Sequence, residues 1–312
     1  MTKVIIGTRG SRLALAQANE VKRRLAELHP QLDIELKIIK TQGDKRLDLS
    51  LNASGDKGLF TKELEHALHA GEIDCAVHSL KDLPVEVADG TILSAILPRE
   101  DTADVLLGPY TFATLPEGAT IGTSSPRRAA QLLEQRPDLN IKEIRGNIET
   151  RIAKLEAGEY DAIVMAKAGL KRLGLEDKIN YEFSPFEMVP APGQAAIAVQ
   201  QRAADKALAE LFASIHCPST ARCTEIERYL LQQAGGGCAI PFACSCTEVY
   251  YQSVTEGEGS KPEKGGYFIT VYNLYDEKET LRGIAVSSEA TNEEIAKYLQ
   301  EDTVPIDRAK FH

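Results

Sequence analysis

The chain has 312 residues, enough for two or three domains, and its 43% hydrophobic and 26% charged content is that of an ordinary soluble globular protein. With 36 Lys and Arg against 46 Asp and Glu, the formal net charge is −10, which disfavours nonspecific nucleic-acid binding. No apolar run approaches the ~20 residues of a membrane span, and the start MTKVIIGTRGSR reads as strand and turn instead of a signal peptide, so a cytoplasmic protein is expected. Cysteines 75, 217, 223, 238, 244 and 246 are scattered along the chain, so no disulfide framework is expected. No CxxC pair or histidine cluster marks a metal site.

In chain order, residues 3–6 form a short apolar strand that stops at Gly7-Thr8-Arg9-Gly10-Ser11. Ser11 is placed to cap a helix in which Leu13, Ala16, Val21, Leu25 and Leu28 recur near helical spacing. Residues 33–40 alternate like a strand, while 41–58 are polar and without period, a length that marks a lid or binding loop. Residues 60–70 read as a helix and 73–78 as a buried strand ending in HSLKDLP. Residues 91–97 are another strand, after which Pro98-Arg99-Glu100-Asp101 crosses into a second unit.

That unit repeats the pattern. Strands are expected at 105–107, 120–122, 140–144 and 162–166. Ser124-Ser125-Pro126 opens a helix with hydroxyl caps and proline at its first position, and a second helix follows Arg145-Gly146-Asn147. Residues 195–199 are again a strand. Such alternation implies parallel sheets with helices on both faces. From about Pro218 the character changes: a helix at 220–233, strands at 268–275 and 281–286, and the capping box Thr291-Asn292-Glu293-Glu294 before a last helix give a small α+β domain. The expected units are 1–97 with 196–215, 98–195, and 216–312.

The polar residues that follow each strand carry the functional pattern. They are Arg9 and Ser11, then Ser79, Lys81 and Asp82, then Thr123, Ser125, Arg127 and Arg128, then Arg145 with Arg151 a turn later, and Arg172 beyond Lys167. Ligands bind outside the carboxyl ends of strands in open parallel sheets, so these residues should converge on one cleft or on two facing clefts. Arg127 and Arg128 sit in a helical first turn, where the macrodipole disfavours each cation by about 0.3–1 kcal/mol. An anion at that N-terminus would explain them; the other reading points both to solvent. Spaced guanidinium groups suit a ligand with several carboxylates or phosphates, and no GxxxxGK[ST] or GxGxxG loop indicates a nucleotide. Asp82 is a lone carboxylate among these cations, either a salt-bridge partner or an acid/base that steadies a cationic intermediate.

Gly235-Gly236-Gly237-Cys238 is open in the same way. It fits a helix C-cap with a core cysteine, or a bare loop presenting a nucleophilic thiol. His78 and Cys75 read as structural.

GTRGSRLALAQ at 7–17, DKGLFTKELEHAL at 56–68, DCAVHSLKDLP at 74–84, IGTSSPRRAAQL at 121–132, IRGNIETRIAKL at 144–155 and GGGCAIP at 235–241 follow one another in order. Together they resemble the porphobilinogen deaminase (hydroxymethylbilane synthase) family over nearly the whole chain, most weakly after about Val249. The resemblance implies an α/β fold of two doubly wound domains like type II periplasmic binding protein lobes, plus a small α+β C-terminal domain. It implies a dipyrromethane cofactor held by a thioether to Cys238, and a monomeric transferase condensing four porphobilinogen units with loss of ammonia. Asp82 matches the catalytic aspartate. Arg9, Ser11, Lys57, Ser79, Lys81, Thr123, Ser125, Arg127, Arg128, Arg145, Gly146, Arg151, Arg172 and Gln194 match cofactor and substrate contacts. Ala53 stands where the family usually has a lysine, which Lys167 could replace, and Pro126 stands where leucine is usual. The rival from another class is a non-catalytic two-lobed binding protein for an anionic solute, which would need neither Asp82 nor a cysteine on a glycine loop.

Overall fold

The structure, a computed structural model, describes residues 3–41, 61–235, 241–251, 263–273, 280–301 and 304–305. The expected loop at 41–58, with Ala53 and Lys57, lies outside them apart from Thr41, and so does Cys238.

The first sheet is built from β1 (Lys3–Thr8), β2 (Asp33–Ile38), β3 (Cys75–Ser79), β4 (Thr91–Ile96) and the much later β10 (Ile197–Arg202), in the order β2-β1-β3-β10-β4. Strands β1, β2 and β3 are parallel, whereas β10 runs antiparallel to both of its neighbours. The second sheet has the same plan, with β5 (Asp104–Leu107), β6 (Thr120–Gly122), β7 (Asn140–Lys142), β8 (Ala162–Ala166) and β9 (Tyr181–Glu182) in the order β7-β6-β8-β5-β9, and β5 antiparallel to β8. The sheets are therefore mixed, not purely parallel. In each, the antiparallel fourth position is taken by the strand that has just crossed over from the other sheet. Two crossover segments, 97–103 and 190–196, thus join the lobes.

Helices cover both faces of each sheet, as doubly wound domains require. On the first sheet α1 (Arg12–Leu28) buries Ala18, Val21 and Leu25 in one cluster, and α2 (Lys62–His69) buries Leu64, Ala67 and Leu68 in another. Complete burial of a side chain such as Leu25 contributes roughly 1.5–3 kcal/mol. Leu28, expected on the buried stripe, is 55% exposed because the helix ends there and His29 turns the chain away. The second sheet carries α3 (Pro126–Gln135), α4 (Ile148–Glu156) and the short α5 (Lys167–Arg172) around two clusters. Ser125 caps α3 and Asn147 caps α4 with their side chains.

The third unit pairs β11 (Ala243–Tyr251), β12 (Glu263–Asn273), β13 (Thr280–Ser287) and β14 (Val304–Pro305) antiparallel in that order. Strand β11 and the short helix α6 (Lys206–Ala213) carry no expectation from the sequence. Cys244 and Cys246 of β11 point into the core with Ile226 and Leu230 of α7 (Pro218–Gln233). The last helix, α8 (Asn292–Glu301), opens on the expected capping box: Glu294 N–H donates to Thr291 Oγ1 at 3.2 Å and Thr291 N–H to Glu294 Oε2 at 2.9 Å. Among the described residues no helix is long and apolar enough to cross a membrane.

Candidate active site

The catalytic candidate sits in a turn held on three sides. After β3, Leu80–Asp82 forms one turn of 3₁₀ helix, with Leu80 and Leu83 buried beneath it and Asp82 itself exposed. Leu80 N–H donates to Ala196 O of the second crossover at 3.0 Å. Gly193, at φ +72°, packs so closely that a Cβ there would lie 3.0 Å from Leu80 Cγ and 3.3 Å from the Lys81 nitrogen. From α7, the Arg228 guanidinium donates to the carbonyls of Leu80, Leu83, Pro84 and Val85. Among the described residues no ion pair or hydrogen bond takes up the Asp82 carboxylate, although Lys81 and Arg151 lie near enough to feel its charge.

Ser79 Oγ is held by Gln17 of α1, which donates from Nε2 at 2.8 Å. Ser11 Oγ accepts from Ala14 N–H at 3.2 Å and starts α1. Arg9, between β1 and α1, is half-buried and near enough to His78 to disfavour its protonation. His78 is structural, as expected. Its Nε2 donates to Gln200 Oε1 at 3.0 Å, whose amide in turn donates to Thr91, and burial pushes its pKa down to about 4. Burial likewise pushes the Cys75 thiol up.

Across the cleft the structure alters the reading of Arg127 and Arg128. Neither points to solvent. Both are buried, and both pair with one carboxylate, Asp104 at the head of β5, at 2.7 Å each. Arg127 also donates to Val189 O and Arg128 to Val164 O. Burial alone would raise the Asp104 pKa, but the two guanidinium groups hold it far below the usual carboxylate range. Part of the anion that the α3 N-terminus called for is thus the protein's own. One positive charge of the trio remains uncompensated.

Gln194, on the second crossover, ties this trio to the catalytic turn. Its Nε2 donates to Asp104 Oδ1 at 3.0 Å and Thr102 O at 2.7 Å, and its Oε1 accepts from Lys81 Nζ at 3.2 Å. Burial pushes Lys81 down to about 8, opposed by Asp82 and Asp104 and reinforced by Arg128 and Arg127. Arg151 of α4 is pushed down to about 10, by burial and then by Arg128, with Asp82 opposing. Lys81, Arg127, Arg128 and Arg151 thus gather near Asp82 and Asp104, four cations to two carboxylates; burial is the main cause of the Lys81 and Arg151 shifts, and the neighbouring arginines add to it. Such a surplus favours an anionic ligand on electrostatic grounds.

The remaining site residues frame it. Thr123 Oγ1 accepts from Ser125 N–H at 3.2 Å, and Ser125 Oγ accepts from Arg128 N–H at 3.4 Å, so these hydroxyls shape the start of α3. Gly146 adopts φ +111°, a conformation favouring glycine, and its carbonyl accepts from Arg151 Nε at 2.9 Å. Arg145 pairs with Glu143. Arg172 donates to Ala195 O at 2.6 Å, on the crossover, where Ala195 at φ +71° is the one non-glycine residue of positive φ among the described residues. The ammonium of Lys167, the candidate to replace a lysine at position 53, is paired with Asp101 and Glu182, at 2.6 Å each. An ion pair between the exposed Arg12 and the half-buried Glu149, at 2.9 Å, joins the two lobes.

Sequence reasoning missed Asp104, Arg99, Glu227 and Arg228. Glu227 is completely buried and accepts from both Arg99 Nη atoms at 2.7 and 2.9 Å, from Gly193 N–H at 2.7 Å and from Cys246 N–H at 2.8 Å. It thereby fastens both crossovers to the third unit. Its signal was its position: it lies four residues after Cys223 and three before Leu230, on the apolar stripe of α7.

A family profile described as "Porphobilinogen deaminase, dipyromethane cofactor binding domain" matches residues 4–210. A porphobilinogen deaminase of Geobacillus sp. strain WCH70 is 50% identical over 246 residues, covering 78% of this chain and 79% of that protein. The chain belongs to the porphobilinogen deaminase family. The porphobilinogen deaminase of Syntrophotalea carbinolica extends the match to 94% of this chain and 91% of its own length at 46% identity. Among solved structures, a periplasmic binding protein of Salmonella typhimurium aligns over 71% of this chain and 97% of its own at 12% identity, with a TM-score of 0.39 too low to carry weight. As a porphobilinogen deaminase family member the chain is a transferase with a dipyrromethane cofactor, and its cation surplus fits a polycarboxylate group of that kind.

Proposed function

We propose that the chain joins four porphobilinogen molecules head to tail onto a dipyrromethane primer linked to Cys238, releases one ammonia per unit, and then frees the linear tetrapyrrole hydroxymethylbilane by hydrolysis. The observation that supports this reading is an exposed carboxylate, Asp82, without a hydrogen bond or ion pair among the described residues, beside the cation surplus of Lys81, Arg127, Arg128 and Arg151. A plain anion-binding cleft has no use for a free carboxylate among its cations. The working units are 1–97 with 196–215, 98–195, and 216–312, in a monomer acting in the cytoplasm.

Each residue has a task. Lys81, Arg127, Arg128 and Arg151 bind acetate and propionate arms and fix the pyrrole orientation needed for carbon–carbon bond formation. Thr123, Ser125, Ser79 and Ser11 hold the strand-end turns that present them, and Arg9, Lys57, Arg145, Gly146, Arg172 and Gln194 complete the binding surface. When bound, the dipyrromethane supplies the free pyrrole carbon on which the chain grows. Loss of ammonia from porphobilinogen leaves a positively charged ring system. Asp82 accepts hydrogen bonds from pyrrole N–H groups and stabilises that charge as it develops.

Holoprotein incubated with porphobilinogen is expected to release one ammonia per porphobilinogen consumed and to yield a four-unit product by mass spectrometry. Binding of porphobilinogen with neither ammonia nor product would instead make the chain a two-lobed binding protein.

A further inference from the structure

Arg228 is set where a single side chain can couple the third unit to the reacting centre. It lies on α7, one residue after the Glu227 that holds both crossovers and ten before Cys238. Its Nη1 approaches the carbonyls of Leu80 at 3.5 Å and Leu83 at 3.3 Å, while Nη2 donates to Pro84 O at 2.6 Å and Val85 O at 2.8 Å. These four carbonyls bracket Asp82. Among the described residues Arg228 has no carboxylate partner, and burial lowers its pKa. Its charge is met by carbonyl dipoles instead of an acid. All four of these donor contacts are spent on the backbone of one turn. One helical turn further on, Gln232 reaches Glu86 at 3.3 Å, extending the same contact.

We infer that Arg228 is a positioning residue for Asp82: it fixes the Leu80–Val85 turn to α7 and so registers the carboxylate against the third unit. This rests on the catalytic assignment of Asp82. The planar fork explains the residue type, since a lysine ammonium at the same place is a point donor and cannot span carbonyls on both sides of the turn. Displacements of about 1 Å can cost on the order of 100-fold in rate, which sets the expected scale.

The test uses holoenzyme of Arg228→Gln and Arg228→Lys, each normalised to covalently loaded protein and assayed well below its unfolding midpoint. Arg228→Gln is expected to lower kcat by about 10- to 100-fold while KM for porphobilinogen stays within about twofold, and Arg228→Lys to recover part of the loss. In an Asp82→Asn background, Arg228→Gln should add no further loss, because the residue acts through Asp82. Folded, loaded Arg228→Gln with wild-type kcat overturns the inference, as does a full additional loss in the Asp82→Asn background. Wild-type turnover by Asp82→Asn alone would overturn the catalytic assignment instead, so the two failures are separable.

Discussion

Replacing Asp82 by Asn is expected to lower kcat by about 100- to 1,000-fold while leaving the folded, loaded protein intact. The magnitude is that of removing one preorganised group aimed at charge that develops in the transition state. The amide keeps the size of the side chain and one acceptor oxygen, but it cannot balance a cation. Stability should change by no more than about 0.5 kcal/mol, as for surface substitutions generally, because Asp82 is exposed and its carboxylate holds no partner among the described residues. Single-turnover assays on holoenzyme, with a thermal melt of the same sample, separate the two effects. Near-normal turnover would remove Asp82 from its role.

Glu227→Ala should do the reverse, costing stability first. The substitution leaves the Arg99 guanidinium, 12% exposed in its side chain, without its counter-ion, and strips acceptors from Gly193 and Cys246 N–H. Breaking a buried pair from one side costs about 3–5 kcal/mol. That is a large part of the ~5–15 kcal/mol that holds a typical fold together. Because Glu227 pins both crossovers, the loss should extend to the packing of the two lobes against α7. Urea unfolding followed by far-UV circular dichroism reads it directly, and a loss below about 1 kcal/mol would mean that Glu227 is not the knot it forms geometrically.

The arrangement of these residues explains which parts were legible in the sequence. Local signals read well. Ser11 and Ser125 cap the helices they precede, Pro126 sits in the first turn of α3, and Thr291 with Glu294 forms its reciprocal pair. Strand ends bearing Arg9, Asp82, Thr123 and Arg145 follow from hydrophobic runs broken by polar turns. What a single sequence does not carry is the partner across a gap of many residues. Asp104 is one acid among many until β5 is placed antiparallel to β8 and its carboxylate falls between Arg127 and Arg128. Gln194 links Lys81 to Asp104 over separations of 113 and 90 residues. The antiparallel direction of β5 and β10 is set by the crossovers between lobes, a property of topology and not of local pattern. Strand β11 escaped notice because its small and polar members, Ser245 and Thr247, interrupt the apolar run while Cys244 and Cys246 face the core.

The central claim is that this cleft works on pyrroles carried covalently by Cys238. The intact mass of the protein purified from cells that make porphobilinogen tests it most directly. It should exceed the mass of the 312-residue chain by that of two deaminated porphobilinogen units, and Cys238→Ser should lack the addition. An unmodified mass for the wild-type chain from such cells, or the same addition on Cys238→Ser, would contradict the account.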